Sequence, residues 1–326
     1  MKKHTLLSAV LISLFACAWH GEQTGGLHPP SPGVAAKESV SHGSVKGLQL
    51  VKVIGETKLG ASFLSSPTGI AVDLLGNLFI VDSGNDRLVK CDSEGRFMAE
   101  TGGFGWEAGQ FNRPTYVAVD NGLNAYVADT QNKRIQRFDQ SLNFVSSIQI
   151  KAQSDFSGFG LIEGIAINSS GEIIVSDVEE DLLVKLSSSY EYEKTFGGLA
   201  EVPGGLRDPL GVFIDQDGST YVADSENDRV VVFDVFGNFV KSMGERILSH
   251  PSGVAVALDQ TVYVANTGDN SIAVLDPDGN LILRYGGDAS GLVSLSKPTD
   301  LKLGKENKLF VVDSGNNRIC VFETLK

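Results

Sequence analysis

The chain has 326 residues, of which 42% are hydrophobic, and its formal net charge is −13. This apolar content supplies a substantial core and excludes wholesale disorder, while the acidic balance disfavours binding to the phosphate backbone of nucleic acids. With only 3 cysteines, the sequence holds too few thiols for a disulfide framework.

The N-terminus has the pattern of an export signal. Two lysines precede an apolar run over residues 6–15, which is too short to span a bilayer. The tetrapeptide LFAC, which ends at Cys17, resembles a bacterial lipobox. It predicts a signal peptide over residues 1–16 and lipidation of Cys17 by acyl chains such as palmitate. Conventional cleavage beside Cys17, which would release a secreted or periplasmic protein, is the alternative.

Residues 17–47 mix Gly, Pro, Ser and His without apolar periodicity, which predicts a flexible tether. Loss of the signal peptide would take the net charge to −15, and two or more acyl chains would give stable membrane attachment. We therefore expect a lipoprotein of the bacterial cell envelope. Ala18 instead of Asp after the cysteine favours the outer membrane or cell surface in a Gram-negative host.

A repeated heptapeptide organises the rest of the chain. The stretches VDSGNDR and VDSGNNR, at 81–87 and 312–318, have four weaker relatives between them, and successive copies are 42 to 48 residues apart. Such a period is the signature of a repeat architecture. One anchor residue per copy marks the column: Asp82, Asp129, Asp177, Asp224, Asn266 and Asp313.

Each period contains four short segments rich in Val, Ile, Phe and Tyr, separated by Gly, Asn and Asp turns. These segments predict four strands per unit and an all-β, six-bladed β-propeller of four-stranded blades. The sixth unit stops after its third strand, and a strand-like stretch at 48–56 precedes the first unit. We therefore predict that the N-terminal strand completes the last blade, so that residues 48–326 form one closed, monomeric domain.

With its proline-glycine strand starts and its Asp, Asn and Arg at fixed offsets, the sequence resembles the NHL-repeat family over residues 48–326. Units one, two, four and six carry the full set, as in Asp82-Asn85-Arg87, whereas units three and five depart from it. A carboxylate at the end of a strand can accept hydrogen bonds from the amide N–H groups of the turn, and arginine can form an ion pair with it. A structural role for the Asp-Asn-Arg set explains its repetition better than six equivalent active sites do. Functional residues are therefore expected in the units that depart from the repeat.

One departure lies at the position after the proline that starts each innermost strand. This column reads Thr68, Thr115, Glu163, Leu210, Ser252 and Thr299, and Glu163 is its only acid. The turn between the second and third strands of the same unit adds Glu179, Glu180 and Asp181, which predicts an acidic patch near the funnel mouth. Its oxygen ligands could hold a hard cation such as calcium, with Glu163 as a candidate ligand. A solvated acidic rim without any cofactor is the alternative.

Two enzyme classes that resemble this architecture provide a comparison. The gluconolactonase resemblance implies metal-binding Glu, Asn and Asp around the funnel, whereas here one acid stands among hydroxyls and a leucine. Streptogramin-lyase propellers need a histidine, and His250 is the only histidine after residue 47. Binding is therefore favoured over catalysis, and a metal-dependent hydrolase or lactonase remains the alternative function.

Aromatic residues are concentrated in two long loops, at 101–114 and 150–164. Phe104, Trp106, Phe156 and Phe159 exceed what the repeat requires. Exposed aromatics on loops over a rigid scaffold favour recognition of a protein or small ligand, here at the top face. Packing of these side chains between blades is the alternative.

Overall fold

The structure is a computed structural model that describes residues 45–150, 156–198, 202–287 and 294–326. Within these ranges the chain forms six four-stranded antiparallel sheets, which are the six blades of a β-propeller. The predicted fold class is confirmed. The signal peptide, Cys17 and most of the predicted tether lie outside the described residues.

The blades follow the sequence repeats in order. The first strand, β1 (Gly47–Ile54), precedes blade 1. Blade 1 consists of β2 (Pro67–Val72), β3 (Leu78–Asp82), β4 (Arg87–Cys91) and β5 (Phe97–Gly102). Blade 2 consists of β6 (Pro114–Val119), β7 (Ala125–Asp129), β8 (Arg134–Phe138) and β9 (Phe144–Ile148). Blade 3 consists of β10 (Ile162–Ile167), β11 (Ile173–Asp177), β12 (Leu182–Leu186) and β13 (Tyr192–Phe196).

The second half of the ring has the same organisation. Blade 4 consists of β14 (Pro209–Ile214), β15 (Thr220–Asp224), β16 (Arg229–Phe233) and β17 (Phe239–Met243). Blade 5 consists of β18 (Pro251–Val256), β19 (Val262–Asn266), β20 (Ser271–Leu275) and β21 (Leu281–Gly286). Blade 6 consists of β22 (Pro298–Leu303), β23 (Lys308–Asp313) and β24 (Arg318–Leu325), completed by β1.

The N-terminal strand closes the ring as predicted. β1 pairs antiparallel with β24, with Gly47 opposite Leu325 and Ile54 opposite Ile319. This pairing covers an edge that would otherwise expose unpaired N–H and C=O groups. The first and last blades are thereby joined although they are the most distant in sequence.

Short turns end the strands for local reasons. In blade 4 the Asp234 carboxylate accepts the main-chain N–H groups of Phe236 and Asn238, at 2.9 and 2.8 Å. Gly237 adopts a φ of +73°, which glycine reaches without a Cβ clash. Together these features fix the hairpin between β16 and β17 and start the outer strand.

The core consists of six clusters of buried side chains, one at each contact between neighbouring blades. Cys91 lies in the cluster between blades 6 and 1, and Cys320 lies in the cluster between blades 5 and 6. Both are free thiols. Their positions as small apolar residues of different clusters explain why they do not form a disulfide.

We define the top face as the end that carries the loops leading into the innermost strands and the turns between second and third strands. Five of these turns contain 3-10 helices: Ser83–Asn85, Thr130–Asn132, Ser225–Asn227, Thr267–Asp269 and Ser314–Asn316. The opposite end is the bottom face, where β1 begins. No helix among the described residues is long and apolar enough to cross a membrane.

Candidate functional site

The repeated Asp-Asn-Arg set is structural in blade 2, and the other complete sets have the same form. The fully buried Asp129 carboxylate accepts hydrogen bonds from the Asn112 main chain at 2.8 Å, the Asn132 side chain at 2.9 Å and the Arg134 Nε at 2.7 Å. Each partner lies within the same blade or its leading loop. The set ties the second strand, the turn and the preceding loop together and leaves no atom of Asp129 facing a ligand.

Blade 3 lacks the arginine of this set. Its Asp177 accepts the main-chain N–H groups of Gly160 and Glu179, at 2.6 and 3.1 Å. Burial raises the pKa of the Asp177 carboxyl above its ordinary value because no cation offsets the cost of desolvation. The departure of blade 3 from the repeat motif therefore removes an ion pair from a buried aspartate, and it does not add an exposed group.

Glu163 is nearly buried, with 8% of its surface exposed. Its Oε1 lies 2.9 Å from Nη2 of Arg113, a half-exposed arginine on the loop that leads into blade 2. Burial raises the pKa of the Glu163 carboxyl, and the Arg113 guanidinium opposes this shift. The side chain thus links two blades, and an arginine occupies one side of the carboxylate that a cation would approach.

Two threonine hydroxyls of the Glu163 column form hydrogen bonds between neighbouring blades. Thr68 donates to the main-chain oxygen of Thr115 at 2.7 Å, and Thr115 donates to that of Glu163 at 3.0 Å. The expectation that this column faces the funnel stays a prediction for these residues. Their side chains are used to connect neighbouring innermost strands.

The three acidic residues in the turn between β11 and β12 contact different partners. Glu179 forms an exposed ion pair with Lys133, and Glu180 lies 3.5 Å from the hydroxyl of Ser157. Asp181 accepts the main-chain N–H of Asp208 at 2.7 Å, a link between blades that Asp228 repeats toward His250. None of these three acids contacts Glu163 in a hydrogen bond or ion pair among the described residues.

An acidic region nevertheless extends from this turn across the top of blade 4. The pKa of the Asp208 carboxyl is raised by burial and by the negative charges of Glu226 and Asp181. His250 opposes this shift when it is protonated, and its ring nitrogens lie 3.8 Å from Glu226 and 3.7 Å from Asp228. This crowding of like charges gives the top of blades 3 and 4 a negative potential.

No group of three or more His, Cys, Asp and Glu side chains that could hold a metal ion occurs among the described residues. The metal-binding role of Glu163 therefore remains a prediction. His250 is half exposed and has only acidic neighbours within ion-pair distance, as given above.

The loop between blades 1 and 2 is held rigidly and presents two aromatic side chains to solvent. Asn132 donates to the main-chain oxygen of Gly105, and Arg134 donates to those of Trp106, Glu107 and Gln110 at 2.7 to 2.9 Å. Phe104 is 67% exposed and Trp106 is 69% exposed. The repeat's own Asn and Arg thus fix the loop without covering these aromatics.

A third exposed aromatic, Phe63, lies on the neighbouring loop that leads into blade 1. Its main-chain oxygen accepts a hydrogen bond from Asn85, the counterpart of Asn132 in that blade. A cleft of about 410 Å³ lies between the two loops, lined by residues that include Ser62, Arg87 and Gly103. None of the three exposed aromatic residues lines this cleft, and we call Phe63, Phe104 and Trp106 the aromatic patch.

Phe156 and Phe159 do not belong to this exposed set. They are 6% and 8% exposed and pack in the cluster between blades 2 and 3. The ring of Phe156 stacks on that of Tyr192 with a centroid distance of 5.0 Å. Of the two interpretations offered by the sequence for the aromatic loops, packing between blades therefore describes these two residues.

Two residues of the central channel were not predicted from the sequence. Four blades have glycine two positions after the start of the innermost strand, but blades 2 and 6 have Tyr116 and Asp300 there. The Tyr116 hydroxyl crosses the channel and donates to the main-chain oxygens of Ser252 and Thr299, at 2.5 and 3.0 Å. Comparing this glycine column across the repeats would have identified both residues.

Asp300 is fully buried and joins blade 6 to blade 1. One of its oxygens accepts the main-chain N–H of Ile70 at 3.0 Å, and the other lies 3.0 Å from Nζ of Lys302. Burial raises the pKa of the Asp300 carboxyl, and the Lys302 charge opposes the shift. With Tyr116, this pair replaces the open centre of the ring with side chains.

Comparison with known proteins gives a family and a fold. The family model described as NHL repeat matches residues 111–138 and 295–322, which lie in blades 2 and 6. No curated protein matches the chain in sequence.

Among solved structures, the chain is similar to a streptogramin B lyase, with a TM-score of 0.59, 12% identity, and coverage of 85% of this chain and 98% of that one. It is also similar to a catalytically inactive His-to-Ala variant of virginiamycin B lyase from Staphylococcus aureus with quinupristin. That match has a TM-score of 0.60, 13% identity, and coverage of 85% and 88%. At such identities the similarity establishes the propeller fold alone.

Proposed function

Starting from the fact that this chain is an NHL-repeat β-propeller, we propose that it is a binding or scaffold module whose top face recognises a protein partner. The observation that carries this proposal is the aromatic patch, where Phe104 and Trp106 are about two-thirds exposed on a loop fixed by hydrogen bonds. A loop held in advance loses little conformational entropy on binding, and exposed Trp and Phe are frequent anchors of interfaces.

The charge of the top face restricts the partner. The acidic region formed by Asp181, Asp208, Glu226 and Asp228 lies across the ring from the aromatic patch. The net charge of −13 for the whole chain has the same sign. A partner with apolar side chains beside basic ones would match both regions, and opposite charge would accelerate association at low ionic strength.

The same proposal includes export and attachment to the bacterial cell envelope through lipidated Cys17, at the outer membrane or cell surface. The chain enters the propeller at the bottom face, because Gly47 pairs with Leu325 at the end of β24. A chain anchored through its N-terminal segment can therefore present its top face away from the anchor. A Cys17→Ser variant should then leave the membrane fraction, and a variant that stays as firmly bound would refute the lipid anchor.

The alternative function, a metal-dependent hydrolase or lactonase, has less support. It needs Glu163 as a ligand, yet the Glu163 carboxylate is paired with Arg113 at 2.9 Å. It would gain support if a divalent cation bound with defined stoichiometry and this binding was lost in Glu163→Gln but kept in Glu180→Gln.

The experiment that tests the binding proposal compares two surfaces of one protein. Chemical crosslinking in the native envelope is followed by purification of the wild type, a Phe104→Ser/Trp106→Ser variant and a Phe236→Ser/Leu258→Ser variant. Phe236 and Leu258 are apolar residues on bottom turns that are at least as exposed as Phe104 and Trp106, so they form a matched control. A specific partner should be retained by the control and reduced at least tenfold by the top-face variant, in line with the cost of about 1.4 kcal/mol per factor of ten.

Two results would contradict the proposal. Equal recovery of each crosslinked protein by the wild type and the top-face variant would exclude the aromatic patch as the interface. Selective loss in the bottom-face variant would assign recognition to the opposite end of the propeller.

A further inference from the structure

The lower half of the central channel has a second column of residues that departs from the repeat. Four positions after the start of each innermost strand, the sequence is Ala71, Ala118, Ala166, Phe213, Ala255 and Lys302. Alanine in four blades leaves space near the axis, because a methyl group fills little of it. Phe213 and Lys302 are the two large side chains of this column.

This space forms a cavity of about 160 Å³. Its walls are apolar and include Ala118, Ala166, Val119 and Ile167 from blades 2 and 3, together with Phe213 from blade 4. Tyr116 crosses the channel two positions nearer the top in the same set of strands, which separates the cavity from the top face. The cavity is therefore reached from the bottom.

Lys302 is the one charged residue that lines the cavity. Its side chain is 19% exposed, and Asp300 is the only hydrogen-bond partner of its ammonium group among the described residues. Both Asp300 oxygens already accept main-chain N–H groups, from Ile70 at 3.0 Å and Leu301 at 2.8 Å. An ammonium has three N–H donors, so Lys302 retains two for a ligand.

We propose that this cavity binds a small apolar carboxylate of about four or five carbons, with the carboxylate at Lys302 and the hydrocarbon against the alanine side chains. A volume of about 160 Å³ equals that of about five water molecules at roughly 30 Å³ each. Buried water needs two to four polar partners, and Lys302 is the only polar side chain among the residues that line the cavity. A ligand with a hydrocarbon chain and one anionic end would pack against the apolar walls and accept hydrogen bonds from the free N–H donors of Lys302.

This site does not rest on the proposed binding at the top face. Tyr116 separates the two ends of the channel, and none of the residues of the aromatic patch lines the cavity. Failure of either proposal therefore leaves the other intact.

Titration of the full chain with propionate, butyrate, pentanoate and heptanoate, followed by methyl NMR spectroscopy, tests the proposal. Saturable shifts are expected for Val119 and Ile167, with affinity rising about threefold to fourfold per methylene up to pentanoate. Affinity should stop rising or fall at heptanoate, because the cavity is then full. Shifts that do not saturate, or that map to other methyl groups, would overturn the proposal.

Two variants separate the charge from the apolar walls. Lys302→Met should reduce butyrate affinity at least tenfold and leave the weaker binding of 1-butanol unchanged, whereas Lys305→Met, at an exposed lysine of the next turn, should change neither. If Lys302→Met does not fold, Ala166→Leu tests the same site, because it fills the cavity while retaining the charge pair. Pentanoate binding that survives Ala166→Leu, or an equal loss in Lys305→Met, would refute the site.

Discussion

Arg134 links the repeat motif to the aromatic patch, so its replacement tests the structural account of both. Its Nε donates to buried Asp129 at 2.7 Å, and its two terminal nitrogens donate to the main-chain oxygens of Trp106, Glu107 and Gln110. Arg134→Met removes all four hydrogen bonds and keeps the volume of the side chain. Breaking a buried ion pair typically costs 3–5 kcal/mol.

The lower end of that range is expected here. The Asp129 carboxylate keeps the donors of Asn112, Asn132 and Gln136 after the change, so it is not left without partners. We predict that Arg134→Met lowers the free energy of unfolding by about 3 kcal/mol, measured by urea denaturation. The loop should also exchange its amide hydrogens about 30-fold faster, which corresponds to about 2 kcal/mol of lost protection.

Arg229→Met provides the matched control. Arg229 occupies the same motif position in blade 4, pairs with Asp224 at 2.7 Å, and donates to one loop oxygen, that of Gly205. The Arg229→Met variant should have a free energy of unfolding lower by about 2 kcal/mol. Its amide hydrogens in residues 103–111 should not exchange faster than those of the wild type. Loss of less than about 1 kcal/mol in Arg134→Met, or equal loop exchange in both variants, would refute this account.

Three further measurements test other parts of the structure. Tyr116→Phe should lower the free energy of unfolding by about 1–3 kcal/mol in urea denaturation, because the main-chain oxygen of Ser252 loses the Tyr116 hydroxyl as a donor, whereas that of Thr299 keeps the Ser252 hydroxyl; an unchanged midpoint would contradict the channel geometry. Burial raises the pKa of both Cys91 and Cys320 to about 12, so neither thiol should react with Ellman's reagent at about pH 8 until the protein is unfolded. Burial raises the pKa of Glu163 in the folded protein, so ionisation of its carboxyl lowers the stability of the fold. This stability is lost as the pH rises from the ordinary pKa of glutamate through the higher pKa of the folded state. Denaturation at about pH 4 and about pH 7 should therefore show Glu163→Gln gaining on the wild type as pH rises, and a gain as pH falls would mean that Arg113 dominates.

The role of the repeat could be predicted because its determinants are local. The Asp82, Asn85 and Arg87 side chains meet within one turn, at 2.7 Å in each contact with the carboxylate, so their spacing in sequence already defines their geometry. Alternation of apolar residues and turn glycines likewise marks each strand. The prediction that β1 would complete blade 6 followed from a sixth unit without its fourth strand and from an extra strand-like stretch before the first unit.

The contacts of the residues that depart from the repeat could not be predicted in the same way. Glu163 and Arg113 are 50 residues apart and come from different blades. Tyr116 reaches oxygens in blades 5 and 6 on the far side of the ring, up to 183 residues away. Nothing in the local sequence of either residue indicates such a partner.

The sequence by itself therefore determined the blades, their number and their order, since hydrogen bonding within each repeat depends on residues close in the chain. Only the tertiary structure decided that Phe156 is buried while Trp106 is exposed, and that a tyrosine and a charge pair fill the centre of the ring. These outcomes depend on the distances between blades. Those distances are fixed only when all six cores pack simultaneously and the ring closes.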